Sequence, residues 1–103
     1  MNSKINYNVD YKGILRIYIN NSIICEISKC ENSTSEEIKN IVNEEINNFK
    51  ENIQNRIIEL KGEIVTLSNL CKQLGNKEPE KNFMIKDRLE LIKKLESELK
   101  DLK

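Results

Sequence analysis

The sequence contains no His, no Trp and no Ala, and it has one Pro, three Gly, two Phe and three Tyr. Each shortage excludes something. Without His the chain lacks the commonest general base and the commonest metal ligand. Its three Cys do not compensate: Cys25-x4-Cys30 is not a zinc-knuckle spacing, and no His completes a set with Cys71. An odd number of thiols with no export context fits a reduced, cytoplasmic setting. P-loop, dinucleotide-glycine, nucleophile-elbow and Ser-Lys signatures are all missing. The acid pairs Glu36-Glu37 and Glu44-Glu45 fall where a helix would show a solvated face, so no catalytic residue, cofactor or metal is expected. No apolar run approaches the roughly 18 residues of a membrane span. The start, Met1-Asn2-Ser3-Lys4-Ile5, lacks the apolar core of an export signal. Finally, charge of one sign is not in excess. Lys plus Arg and Asp plus Glu are both 17 in 103 residues, which is unlike a strongly basic nucleic-acid binder.

What remains is rich in Ile, Asn, Lys and Glu, the residues that AT-rich coding favours. The Asn stripe at Asn40, Asn43, Asn47, Asn48, Asn52 and Asn55 is therefore read as a polar helix face. A chain of 103 residues is expected to form one domain. Its pattern changes once, near residue 33, from a period of two to a period close to three and a half. The fold class expected is α+β. A three-stranded antiparallel β-meander (1–32) precedes a long helix (33–75) and a second helix (79–103), the two helices forming a coiled-coil-like hairpin.

In the meander, Ile5, Tyr7 and Val9 alternate with polar residues. Tyr11-Lys12-Gly13 supplies a turn with Gly at a position free to take positive φ, and Asn20-Asn21-Ser22 supplies another. Three-residue loops at both turns predict one apolar face: Val9 opposite Leu15, Tyr7 opposite Ile17, Ile19 opposite Ile23 and Ile17 opposite Cys25. A two-residue second loop would turn Glu26 inward. The outer face then carries Arg16 opposite Glu26 and Tyr18 opposite Ile24. Cys25 and Cys71 fall on apolar faces, and Cys30 is expected to be exposed.

A sheet with one apolar face needs a cover. Ser33 with Glu36, or Thr34 with Glu37, can form a capping box that starts the long helix, and Gly75-Asn76 can stop it. Apolar residues from Ile38 to Leu74 follow a heptad-like course, with one stutter at 49-53-57. Pro79 suits the first turn of the second helix, which places Ile85, Arg88, Ile92, Leu95, Leu99 and Leu102 along its seam. That helix is roughly 35 Å long at 1.5 Å per residue. It can cover about residues 51 to 74 of the first helix, leaving 36 to 50 for the sheet.

Apolar residues also lie beside the seam: Leu70, Phe83, Leu89, Leu91, Ile58 and Val65. Exposed together they would form a patch that monomers avoid. A homodimer or higher oligomer through the hairpin is therefore expected, with Leu70, Leu89, Leu91, Ile92, Leu95 and Leu99 at the interface. Arg88 occupies a seam position that would suit Leu. It either meets an anion, with Arg56 beside it and Phe83 close by, or pairs with Glu59 or Glu63.

In topology alone, a three-stranded sheet followed by a helix resembles the sheet-reading DNA-binding modules at the ends of some recombinases. That likeness would make Arg16 and Tyr18 contact residues, with Lys4, Asn6, Asn8 and Lys29 beside them, although Asp10 and Glu26 share the face. In general style the chain resembles accessory proteins of phages and mobile elements. Those include inhibitors of host-defence nucleases and sponges for defence nucleotides. The function expected is non-catalytic binding by an oligomer, of a host protein or a small nucleotide, as such an accessory protein. The alternatives are a DNA- or RNA-binding regulator and a purely structural assembly protein.

Overall fold

The computed structural model describes residues 3–75 and 77–102. Met1, Asn2, the expected helix stop at Asn76 and the expected end of the second helix at Lys103 lie outside them. Three strands, β1 (Ile5–Val9), β2 (Leu15–Ile19) and β3 (Ser22–Ile27), form an antiparallel sheet in the order β1-β2-β3. Two helices follow, α1 (Ser35–Gln73) and α2 (Phe83–Asp101), so the fold is α+β as the alternation of patterns predicts. The chain divides into two compact units, residues 1–50 with Leu102 and residues 51–101, and α1 contributes to both. The division within α1 falls where helix lengths place it.

The sheet unit is built on its first turn. Asp10 N–H donates to the Ile14 carbonyl at 3.0 Å and Gly13 N–H to the Asp10 carbonyl at 3.0 Å, closing the expected three-residue loop. Gly13 sits at φ 79, which costs a side-chain-bearing residue strain. The Glu31 side chain occupies the space its Cβ would need. The register follows as expected, with Val9 opposite Leu15, Tyr7 opposite Ile17 and Ile5 opposite Ile19.

The second hairpin corrects the sequence reading. Asn20 (φ 51) and Asn21 (φ 70) form a two-residue loop between the paired Ile19 and Ser22. Positive φ at both central residues matches the twist of the flanking strands. Glu26 is nevertheless not turned inward, because a β-bulge resets the register. Tyr18 faces Ile23 while Ile17 faces Cys25, leaving Ile24 without a partner. Ile24, not Ile23, consequently packs on the core, and Ile23 is 47% exposed.

That core contains Leu15, Ile17, Cys30, Val42 and Ile46, so the first turns of α1 cover β2, β3 and the Val9 end of β1. Ile5 and Tyr7, expected on the covered face, stay exposed at the edge strand. Cys30 is buried, contrary to its expected exposure. Its N–H donates to the Gly13 carbonyl at 2.8 Å, which ties the segment after β3 to the first turn. Of the two possible capping boxes, the one at Thr34 forms. Glu37 N–H donates to Thr34 Oγ1 at 3.1 Å, and Thr34 N–H to Glu37 Oε1 at 3.4 Å.

In the second unit, Ile53, Ile57, Leu60 and Cys71 of α1 and Ile85 and Ile92 of α2 are buried. Glu63 meets Arg88 and Cys71 meets Asn82, so numbers rise on one helix as they fall on the other, the antiparallel sense. The start of α2 differs from expectation. Pro79 begins a separate 3-10 turn, Pro79–Lys81, that ends at Asn82 with φ −65 and ψ 127. Asn82 then caps α2 by accepting from Met84 N–H at 2.9 Å.

Candidate functional site

On the outer sheet face, Arg16 is engaged from two sides. Its Nη1 lies 2.7 Å from Asp10 Oδ2, and its Nε lies 3.9 Å from Glu26 Oε1 on the paired strand. Asp10 is an organising acid. Its Oδ1 accepts from Lys12 N–H at 2.8 Å and from Ile14 N–H at 3.0 Å. The Ile14 bond, then the Arg16 guanidinium, hold its carboxyl below the usual carboxylate range. In return Asp10 raises the Arg16 pKa. Tyr18 is half-buried and opposite Ile23 rather than Ile24. Lys4, Asn6, Asn8 and Lys29 are exposed. An arginine neutralised by two carboxylates is poorly placed to add to phosphate attraction.

Cys30 and Cys71 are buried and Cys25 is half-buried. Burial, and then the nearby Glu45 carboxylate, push the Cys25 thiol up, and its Sγ–H donates to Glu45 Oε2 at 3.7 Å. Cys30 Sγ–H donates to the carbonyls of Ile27 and Ser28, both at 3.7 Å. Asn82 Nδ2 donates to the buried Cys71 Sγ at 3.8 Å. Among the described residues, no group of three or more Cys, Asp or Glu is placed to hold a metal ion. No described helix is long and apolar enough to cross a membrane.

The hairpin unit brings the remaining candidates together. On one flank, Arg56, Leu60, Glu63, Asp87, Arg88 and Leu91 line a hollow of about 200 Å³. Arg88 Nε lies 3.5 Å from Glu63 Oε2, at ion-pair distance but without the alignment of a hydrogen bond. Its Nη1 donates to the Met84 carbonyl at 3.1 Å. Arg56 Nη1 donates to Glu59 Oε2 at 3.0 Å. The two guanidiniums thus share a hollow, but carboxylates face them, and the alternative of pairing with Glu63 describes Arg88. Phe83, the first residue of α2, is 70% exposed.

On the other flank, a groove of about 540 Å³ has an apolar floor of Ile64, Val65, Leu89 and Ile92, with Lys61, Lys93 and Glu96 at its rim. Of the residues expected at an interface, Leu70 (49%), Leu89 (43%) and Leu91 (37%) are exposed. Ile92 is buried within the chain, and Leu95 and Leu99 are half-buried, so these three are used chiefly in packing this copy. Sequence reasoning missed the difference in charge between the flanks. Its signal is spacing: Lys61 and Lys72 are eleven residues apart and Lys93 and Lys100 seven, so each pair shares a helix face.

No protein-family model, characterised protein or solved structure matches this chain.

Proposed function

We propose that this chain is a non-catalytic binding protein that works by stoichiometric association, as a homodimer or higher oligomer joined through the helical hairpin. One observation carries the reading. Ile58 (67% exposed), Val65 (60%), Leu70, Leu89 and Leu91 remain outside a seam that is already filled by Leu60, Ile85 and Ile92. Burying a Leu or Ile side chain is worth about 1.5–3 kcal/mol, so a second copy that covers several of them would be held at useful concentrations. Small size and the general style of the chain support use as a phage or mobile-element accessory protein that disables a host-defence protein by occupancy.

Within that class, capture of a protein is favoured over capture of a nucleotide. An anion entering the Arg56–Arg88 hollow would have to displace Glu63 and approach Asp87. Reading the outer sheet face as a nucleic-acid surface has less support, since Asp10 and Glu26 occupy Arg16.

Light scattering on the eluting full chain, from about 1 to 100 µM, tests self-association in the range typical of specific contacts. The expected mass is a multiple of the 12.1 kDa of one chain. A particle that keeps the mass of a single chain across that range overturns the proposal. A panel of cyclic and ADP-ribose-type nucleotides is expected to leave the melting temperature unchanged. A rise, reversed by Arg88→Ala, would replace protein capture with nucleotide capture.

A further inference from the structure

The two flanks of the hairpin are opposite in charge, and each carries exposed apolar residues. The groove flank presents Lys61, Lys72, Lys93 and Lys100 against Glu96, around Val65 and Leu89. On the hollow flank, positions seven residues apart share a face: Arg56, Glu63 and Leu70 on α1, and Met84, Leu91 and Glu98 on α2. With Glu59 and Asp87 this flank holds four carboxylates against three cations, Arg56, Arg88 and Lys94, the last seven residues after Asp87. Both guanidiniums are already beside a carboxylate, which leaves the flank slightly acidic where the groove flank is strongly basic.

Two copies meeting groove flank to groove flank would set lysine rows against lysine rows. Two hollow flanks would set carboxylates against carboxylates. Like charges set across an interface oppose association. Among the described residues of the hairpin unit, the hollow flank has the chemistry that the groove flank lacks: carboxylates in excess, beside exposed Leu70, Met84 and Leu91. We infer that copies of this chain associate head to tail, the lysine-rimmed Val65–Leu89 groove of one hairpin receiving the acidic Leu70–Leu91 flank of the next. This rests on the self-association proposed above and adds its mode. A contact between unlike surfaces does not end at two copies. It closes into a ring or continues as a filament, according to the rotation between neighbours.

Complementation tests the mode on the full chain. One variant disables the groove flank (Leu89→Glu with Lys93→Glu), and another the hollow flank (Leu91→Lys with Glu98→Lys). All four positions are exposed, and far-UV circular dichroism with melting temperature checks that each variant folds. Each variant alone is expected to run at the mass of a single chain, and an equimolar mixture to associate again, the intact hollow flank of one variant meeting the intact groove of the other. If either variant alone still self-associates as the unaltered chain does, or the mixture stays monomeric, head-to-tail pairing is wrong.

Salt provides a second arm that needs no variant. Raising NaCl from about 50 to 500 mM is expected to weaken association of the unaltered chain roughly tenfold, by screening opposite charges. Association that strengthens with salt, or does not respond, overturns the mode while leaving self-association standing. An unaltered chain that is monomeric at low and high salt overturns both.

Discussion

The bulge in β3 decides which of two adjacent isoleucines is inside, and substitution distinguishes them. Ile24 is half-buried against the core formed by Leu15, Ile17, Val42 and Ile46, whereas Ile23 is 47% exposed and opposite Tyr18. Truncating a fully buried Ile to Ala costs about 2–5 kcal/mol, because a cavity is added to the lost transfer energy. Ile24 is only partly enclosed, so Ile24→Ala should cost about 1.5–2.5 kcal/mol. Ile23→Ala should cost about 0.5 kcal/mol, as at most surface positions. For a unit of this size a difference of about 1 kcal/mol moves the melting temperature by roughly 4–8 °C. Urea unfolding followed by circular dichroism, with both variants at one protein concentration because association also stabilises, gives the ranking. If Ile23→Ala proves equal to or worse than Ile24→Ala, the strand has the unbulged register of a three-residue loop, and the account of this hairpin fails.

Two further outcomes follow from the first turn. The folded-state pKa of Asp10 is depressed, so its stabilising contribution is present above the unfolded carboxylate value, near 3.9, and is lost as pH falls through the folded one. The gap in melting temperature between the unaltered chain and Asp10→Asn should therefore shrink below about pH 5, and a gap constant from pH 7 to about pH 3 would contradict that linkage. Gly13→Ala meets both a positive φ and the Glu31 side chain. It should destabilise by about 1–2 kcal/mol or more, measured by the same urea titration, and a neutral effect would show that the turn relaxes.

The first hairpin was legible because two signals agree there: a Gly at the one position needing positive φ and strict alternation on both sides. The second was not. Ile23 and Ile24 are both apolar, so alternation cannot say which is inside, and Asn tolerates the left-handed region well enough to make a two-residue loop as good as three. The partition of α1 near residue 50 was legible from length, since a helix the size of α2 reaches only so far. Cys30 was misread because its burial comes from a backbone bond to Gly13, a contact between segments far apart in sequence. Pro79 suits the first position of a 3-10 turn as well as that of an α-helix, which obscured the true cap at Asn82. At the candidate site, helical spacing placed Arg88 on the seam but left an anion, Glu59 and Glu63 open as its partner, because the register between the two helices, which brings Glu63 to it, is not written along either one. The charge difference between flanks emerges only when the two helices are set side by side.

The three thiols are divided between the units, with Cys25 and Cys30 in one and Cys71 in the other, and none is paired in a disulfide. Cys30 and Cys71 are enclosed, so an alkylating reagent reaches each only when its surroundings transiently open. Mass spectrometry of alkylated peptides would then time the opening of the sheet and of the helix pair separately in a single sample. The chain carries its own pair of kinetic reporters, placed by the same packing that hides them.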